Sequence, residues 1–302
     1  SYMATRNEKD STRARANLLR EILSDPNQAN PFASKELYDI LDLCLSCKAC
    51  KSECPSSVDM AKLKAEFLQH YYDAHGVPFR SLLIAHFGKL NRLGAHFPSL
   101  TNFLLSNQFT SSVFKRITGF APKRSIPRLH KQTLADWNKS GRNGIKPEDM
   151  KGRVLLFNDE FTNYNDTPIG IKAIILLERL GVEVVIPKHL ESARTYLSKG
   201  LLRQARNIAR TNVSLLADIV SDERPLIGIE PSAILSFRDE YPELVGQDLR
   251  RKAEKLAKNV LTVEEYIASL WTKGKIDREL FESEERTIFY HGHCQQKAIS
   301  ST

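Results

Sequence analysis

Apolar residues recur with two different periods along the chain. Through residues 1 to about 120 the spacing is helical: Met60, Leu63, Phe67 and Tyr71 fall every three or four positions and would line one helix face. Ser56, Ser57 or Asp59 can cap the start of that helix, and Gly76 with Pro78 would stop it. A second helical stretch runs from Arg80 to Leu93, followed by an aromatic-rich one with Phe97, Phe103, Phe109 and Phe114. Core packing is expected of these phenylalanines, with insertion into a membrane interface as the alternative. From residue 153 short apolar runs alternate with amphipathic helices. Val154 to Phe157, Val182 to Ile186, Leu226 to Ile229 and Ile288 to Tyr290 read as strands; 168–180, 199–220, 247–258 and 263–272 read as helices. Strands joined by helices of that length must cross over, so a mainly parallel, helix-covered sheet follows.

At 302 residues the chain has room for two domains. The expected division is a helical domain over 1–120, a connector over 121–152 and an α/β domain over 153–302. With 41% apolar and 26% charged residues, wholesale disorder is excluded. No run reaches the roughly 18 apolar residues of a membrane span, and the start Ser1-Tyr2-Met3-Ala4-Thr5-Arg6 has no apolar signal core. A cytoplasmic protein is expected, with the inner face of the membrane as the alternative location.

Charge is placed unevenly. Residues 123–153 carry nine Lys/Arg against Asp136, Glu148 and Asp149, which accounts for six of the net +8. Pro122, Pro127, Pro147, Gly141, Gly144 and Gly152 punctuate this stretch, so it reads as a solvated connector rather than a nucleic-acid site. Contact with a polyanion or anionic lipid is the alternative.

Four of the five cysteines fall within eleven residues, as Cys44-Leu-Ser-Cys47-Lys-Ala-Cys50-Lys-Ser-Glu-Cys54-Pro55. Such crowding suits thiolate ligation in a reducing compartment better than a disulfide framework. In a C-x2-C-x2-C-x3-C-P run, three thiolates wrap three irons of a [4Fe–4S] cube from one loop. The fourth Cys serves a second cluster in two-cluster ferredoxins. Structural zinc is the competing reading and would make the chain a zinc-stabilised interaction module, although zinc normally pairs two separated knuckles. Only Cys294 lies outside the run, so part of a full two-cluster ligand set is missing from this chain.

These residues resemble bacterial FAD-linked oxidases of the D-2-hydroxyglutarate, D-lactate and glycolate dehydrogenase type that carry a C-terminal iron–sulfur module. Ser1 to Arg6 and Ser11-Thr12-Arg13-Ala14-Arg15-Ala16-Asn17 are similar to the residues that follow the family's first cysteine run, and Asp42 to Pro55 is similar to its second run. The resemblance implies a helical ferredoxin-like domain, like the iron–sulfur subunits of succinate dehydrogenase and anaerobic glycerol-3-phosphate dehydrogenase. Phe161-Thr162-Asn163-Tyr164, Leu197 to Leu202, Ile229-Glu230-Pro231-Ser232 and His291 to Ala298 resemble the start of the cysteine-rich domain shared with heterodisulfide reductase. Two departures weaken a metal site there. Glu191-Ser192-Ala193-Arg194 and Ala233 stand where many relatives have cysteines, and the sequence ends at Thr302 ahead of the family's Cys-Cys-Gly segment.

What the resemblance implies is a division of labour. A flavin domain upstream of Ser1 would hold FAD and oxidise a 2-hydroxy acid; [4Fe–4S] clusters at Cys44, Cys47, Cys50 and Cys54 would relay its electrons to a quinone or another acceptor. The chain alone would then be inactive on substrate, since it has no Gly-rich flavin-binding sequence. A stand-alone iron–sulfur subunit of a lactate-utilisation or glycerol-3-phosphate system is the alternative assembly. His291, His293 and Cys294, expected at the exit of a strand where α/β folds place ligands, form a second candidate metal or redox group, with a packed or turn-stabilising trio as the alternative. Glu230 and Lys199 are lesser candidates.

Overall fold

A computed structural model describes residues 2–27, 30–140, 150–282 and 284–300. The chain divides into two compact units, one made of residues 1–85, 195–205 and 291–302, the other of 86–194 and 206–290. Residues 141–149 of the expected connector, including Arg142, Lys146, Glu148 and Asp149, lie outside the described residues.

Every described element of the first unit is helical. Helices Thr12–Ser24, Lys35–Asp42 and Met60–His75 pack on one another around Leu19, Ile22, Leu37, Leu41, Met60, Phe67 and Leu68, with Tyr38 stacked on Tyr71 at 4.5 Å. The Met60–His75 helix starts where the sequence sets it: Asp59 Oδ1 accepts from the N–H groups of Ala61 and Lys62, and Gly76 ends it at φ +78°. Its buried face is rotated from the expected one, because Leu63 is exposed and Lys64 beside it is buried.

Within the second unit, a four-stranded parallel sheet has the order β2-β1-β3-β4, with β1 Gly152–Phe157, β2 Val182–Val185, β3 Leu226–Gly228 and β4 Val260–Thr262. Register runs Gly152 to Val182, Leu155 to Leu226 and Leu226 to Val260. Val154, Leu156, Val182, Val184 and Ile227 pack with Ile174, Leu177, Val263 and Leu270. On the other side Phe157 meets Phe237 edge-on at 4.9 Å. Covered on both faces, β1 needs an unbroken apolar run, and 154–157 supplies it. The chain moves from β1 to one side for β2 and returns to the other for β3, so β1 and β3 flank the point where strand order reverses.

Three expectations are corrected. Ile288 to Tyr290 is not a strand; these side chains are exposed, Phe289 at 96%, and the fourth strand is β4, three residues between the helices Gln247–Ala257 and Val263–Thr272. The expected helix 199–220 begins later, as Leu202–Leu216, after a separate turn of helix at Arg194–Ser198. Gly200 causes the break: at φ +69° its N–H and that of Leu201 close back onto Leu197 and Tyr196, at 3.2 and 3.0 Å. Finally, Phe97, Phe103 and Phe109 are exposed rather than packed in the core, because helices Pro98–Ser106 and Gln108–Thr118 meet through other residues; Phe114 alone is half-buried, stacked near Phe120.

Gly200 admits no side chain. A Cβ there would overlap Leu68 Cβ and come within 3.1 Å of the Ala65 carbonyl, in a backbone conformation that itself costs an L-residue roughly 1–2 kcal/mol. Gly200→Ala is expected to lower unfolding stability by about 2 kcal/mol or more, read from urea denaturation.

Candidate functional site

The cysteine run occupies a tight loop between two helices of the first unit. After Lys35–Asp42, Cys44 N–H closes onto the Leu41 carbonyl at 3.0 Å. Ser46 and Lys48 then take left-handed conformations, φ 54° and 61°, on either side of Cys47. The short helix Ala49–Glu53 carries Cys50 and ends with Cys54 N–H on the Cys50 carbonyl at 3.0 Å. Two left-handed L-residues within three positions store strain, so something must hold them.

Two buried lysines do so. Lys48 is 1% exposed, and its Nζ pairs with Asp59 Oδ2 at 3.2 Å, while the other oxygen of Asp59 caps the Met60–His75 helix. Lys64, one turn into that helix and 6% exposed, donates from Nζ to the Cys44 carbonyl at 2.7 Å. Burial draws the Lys64 ammonium down from its ordinary range, and the nearby Cys44 thiol acts the other way. Lys199, also in this unit, is lowered by burial too, against the pull of Asp42.

The thiols divide into two environments. Burial pushes Cys50 up, the Met60 N–H opposes this, and Asp59, Cys44 and Cys47 push it further, so Cys44 and Cys47 lie within electrostatic reach of Cys50. Cys54 is held low instead, chiefly by the N–H of Val58 and then of Ser56, in the turn where Ser57 has φ 53°. All four are half-buried and none is in a disulfide. Among the described residues no three His, Cys, Asp or Glu side chains form a group able to hold a metal ion, so Cys44, Cys47 and Cys50 do not make a single-ion shell. A cluster, with one thiolate per corner iron, asks for a wider set, and three half-buried thiols with the Lys64 ammonium on the Cys44 carbonyl suit it.

The chain is similar to D-2-hydroxyglutarate dehydrogenase of Escherichia coli, 26% identical over 269 residues, covering 87% of this chain and 25% of that protein. Its match to the D-2-hydroxyglutarate dehydrogenase of Pseudomonas putida is 25% over 283 residues, 82% of this chain and 28% of the relative. One component of the anaerobic glycerol-3-phosphate dehydrogenase of E. coli is 25% identical over 179 residues, 59% of this chain and 45% of that component. The chain thus spans about a quarter of the length of the D-2-hydroxyglutarate dehydrogenases it matches. No family model matches the sequence, and no solved structure matches it.

The other sequence-derived candidates lie in ordinary structural roles or on the surface. His293 caps the helix Cys294–Ile299 by accepting from Gln295 N–H at 3.2 Å; His291 and Cys294 are exposed, and residues 284–293 leading to that helix form no strand. That helix packs on Ala49–Glu53 within the first unit, with Gln295 Nε2 reaching the Ser46 carbonyl at 3.5 Å. Glu230 caps the helix Pro231–Ile234 by accepting from the Ser232 N–H and hydroxyl.

Sequence reasoning missed a buried polar network at the C-terminal end of β1. Asp159 caps the helix Glu160–Tyr164 and accepts the Thr162 hydroxyl at 2.7 Å; Glu160 accepts the Ser192 N–H and hydroxyl; Arg194 pairs with Glu240 at 2.9 Å; and Tyr241 bonds the Ser192 carbonyl and the Asn212 amide. Burial, with Glu160 beside it, pushes Asp159 up to about 7, and burial raises Glu160 as well. The clue available in sequence was Asn158-Asp159-Glu160 directly after a fully apolar strand.

Two outcomes follow. Asp59→Ala is expected to cost about 3 kcal/mol or more, since it removes the ion-pair partner of a buried ammonium and uncaps a helix, and Lys48→Met less, since Asp59 keeps two N–H partners; urea titration of both variants checks the order. Folded Asp159 keeps a proton that the unfolded chain releases, so stability falls as pH rises from about 4 to 7. Asp159→Asn should make that decline shallower in urea midpoints measured across the window.

Proposed function

We propose that the chain is the iron–sulfur electron-transfer segment of a D-2-hydroxy-acid dehydrogenase, with Cys44, Cys47 and Cys50 as cluster ligands. The observation that carries this reading is the gathering of three thiols in one strained loop backed by two buried lysines. The similarity to D-2-hydroxyglutarate dehydrogenases over most of the chain supports the choice of parent reaction.

A [4Fe–4S] cluster bound in the loop would take up and release one electron at a time, as a two-electron donor such as reduced flavin requires on the way to a quinone or other acceptor. The protein residues have separate tasks. Cys44, Cys47 and Cys50 bind; the Met60 N–H reaches the Cys50 sulfur and steadies its charged form. Lys64 offsets thiolate charge at Cys44 and also fixes the backbone of that first ligand, while Lys48 holds the loop through Asp59. Cys54, in its own N–H turn, is left for a second cluster whose other ligands come from outside this chain. Flavin and substrate would be held by a flavin-bearing domain or partner. The similarity to a separate component of a glycerol-3-phosphate dehydrogenase favours, as a second reading, an independent iron–sulfur subunit.

Anaerobic reconstitution with iron and sulfide tests the ligand set. A broad visible absorption that dithionite bleaches is expected, lost in Cys44→Ser, Cys47→Ser and Cys50→Ser and kept in Cys54→Ser. A colourless zinc-loaded product, or equal loss in all four variants, would overturn the assignment.

A further inference from the structure

Between Asp73 and Asp136 the sequence contains no Asp or Glu. Within that stretch the second unit builds a helical hairpin, Pro98–Ser106 packed on Gln108–Thr118, preceded by Phe87–Gly94. The hairpin is anchored. Asn102 clasps Leu129, donating to its carbonyl and accepting its N–H, both at 2.8 Å, and Lys115 Nζ bonds the Pro122 carbonyl at 3.1 Å. Phe87 stacks with Phe161 at 5.5 Å, and Asn91 bonds Asn165 at 2.9 Å.

Anchored in this way, the hairpin still leaves its apolar residues in solvent. Leu93, Phe97, Leu100, Phe103, Phe109 and Ile117 are all exposed, Phe109 at 76%, and Pro98–Ser106 has no buried residue. Leu100, Phe103 and Leu104 share one face of their helix, as do Phe109, Val113 and Ile117 of theirs, by three- and four-residue spacing. Exposed apolar faces on two helices packed against each other mark an interaction site. Arg92, Arg116, Lys123, Arg124 and Arg128 are exposed in the same acid-free stretch, and the Asn102 and Lys115 bonds tie the segment carrying the last three to the hairpin.

We propose that this face docks on an anionic lipid bilayer, with the aromatic and leucine side chains entering the interface and the cations meeting lipid phosphates. Charge decides among occupants. A second copy would set cation against cation, whereas an anionic bilayer offers hydrocarbon and negative charge together. Among the described residues no helix is long and apolar enough to cross a membrane, so the contact is peripheral. This inference does not depend on the cysteine loop.

Co-sedimentation of the full chain with vesicles tests it. Binding is expected to phosphatidylcholine vesicles containing a quarter phosphatidylglycerol, to weaken with added salt, and to be absent with phosphatidylcholine alone. Phe103→Ser with Phe109→Ser, and separately Lys123→Glu with Arg124→Glu, should each lower partitioning by about tenfold while circular dichroism stays unchanged, since all four sites are exposed. Equal binding to neutral vesicles, or no binding to charged ones, would overturn the proposal. So would hydroxyl-radical labelling that finds these residues already protected without lipid, by a second copy or another protein.

Discussion

A lysine ammonium removed from water costs several kcal/mol unless a partner is fixed within reach. For Lys48 that partner is Asp59, whose carboxylate also caps the helix beginning at Met60. The same helix carries Lys64 back to the Cys44 carbonyl. One carboxylate therefore links the left-handed turn at Lys48, the start of the longest helix of its unit and the backbone of the first cysteine. Roughly 1–2 kcal/mol of strain at each of Ser46 and Lys48 is affordable only while these contacts stand.

The polar network at the end of β1 follows a different logic. Burial keeps a proton on Asp159 near neutral pH, and hydroxyls and backbone N–H groups bond both Asp159 and Glu160. Ser192 is taken up by Glu160, and Ala233 is fully buried. Packing has filled this position, at the point of strand reversal where open α/β sheets commonly hold ligands.

Legibility in the sequence followed physical distinctness. Strands β1 to β3 were readable because apolar, mostly β-branched or aromatic runs beside long helices leave few other arrangements. The three-residue β4 carries too little pattern to separate it from its flanking helices, and Ile288 to Tyr290 has strand composition with nothing to pair with. Cysteine spacing pointed to the loop. The burial of Lys48 and Lys64 was illegible, since a lysine is solvated unless a fold supplies its partner, and that partner, Asp59 or the Cys44 carbonyl, lies 11 or 20 residues away. Exposure of Phe97, Phe103 and Phe109 runs against the same default, which expects large apolar residues inside.

The most direct measurement is chemical: iron, zinc and acid-labile sulfide per chain in protein purified without air. Iron and sulfide in near-equal molar amounts, both falling together when Cys47 is replaced by serine, are the expected result. Protein that holds zinc, or no metal and no sulfide, while remaining folded would contradict the electron-transfer reading.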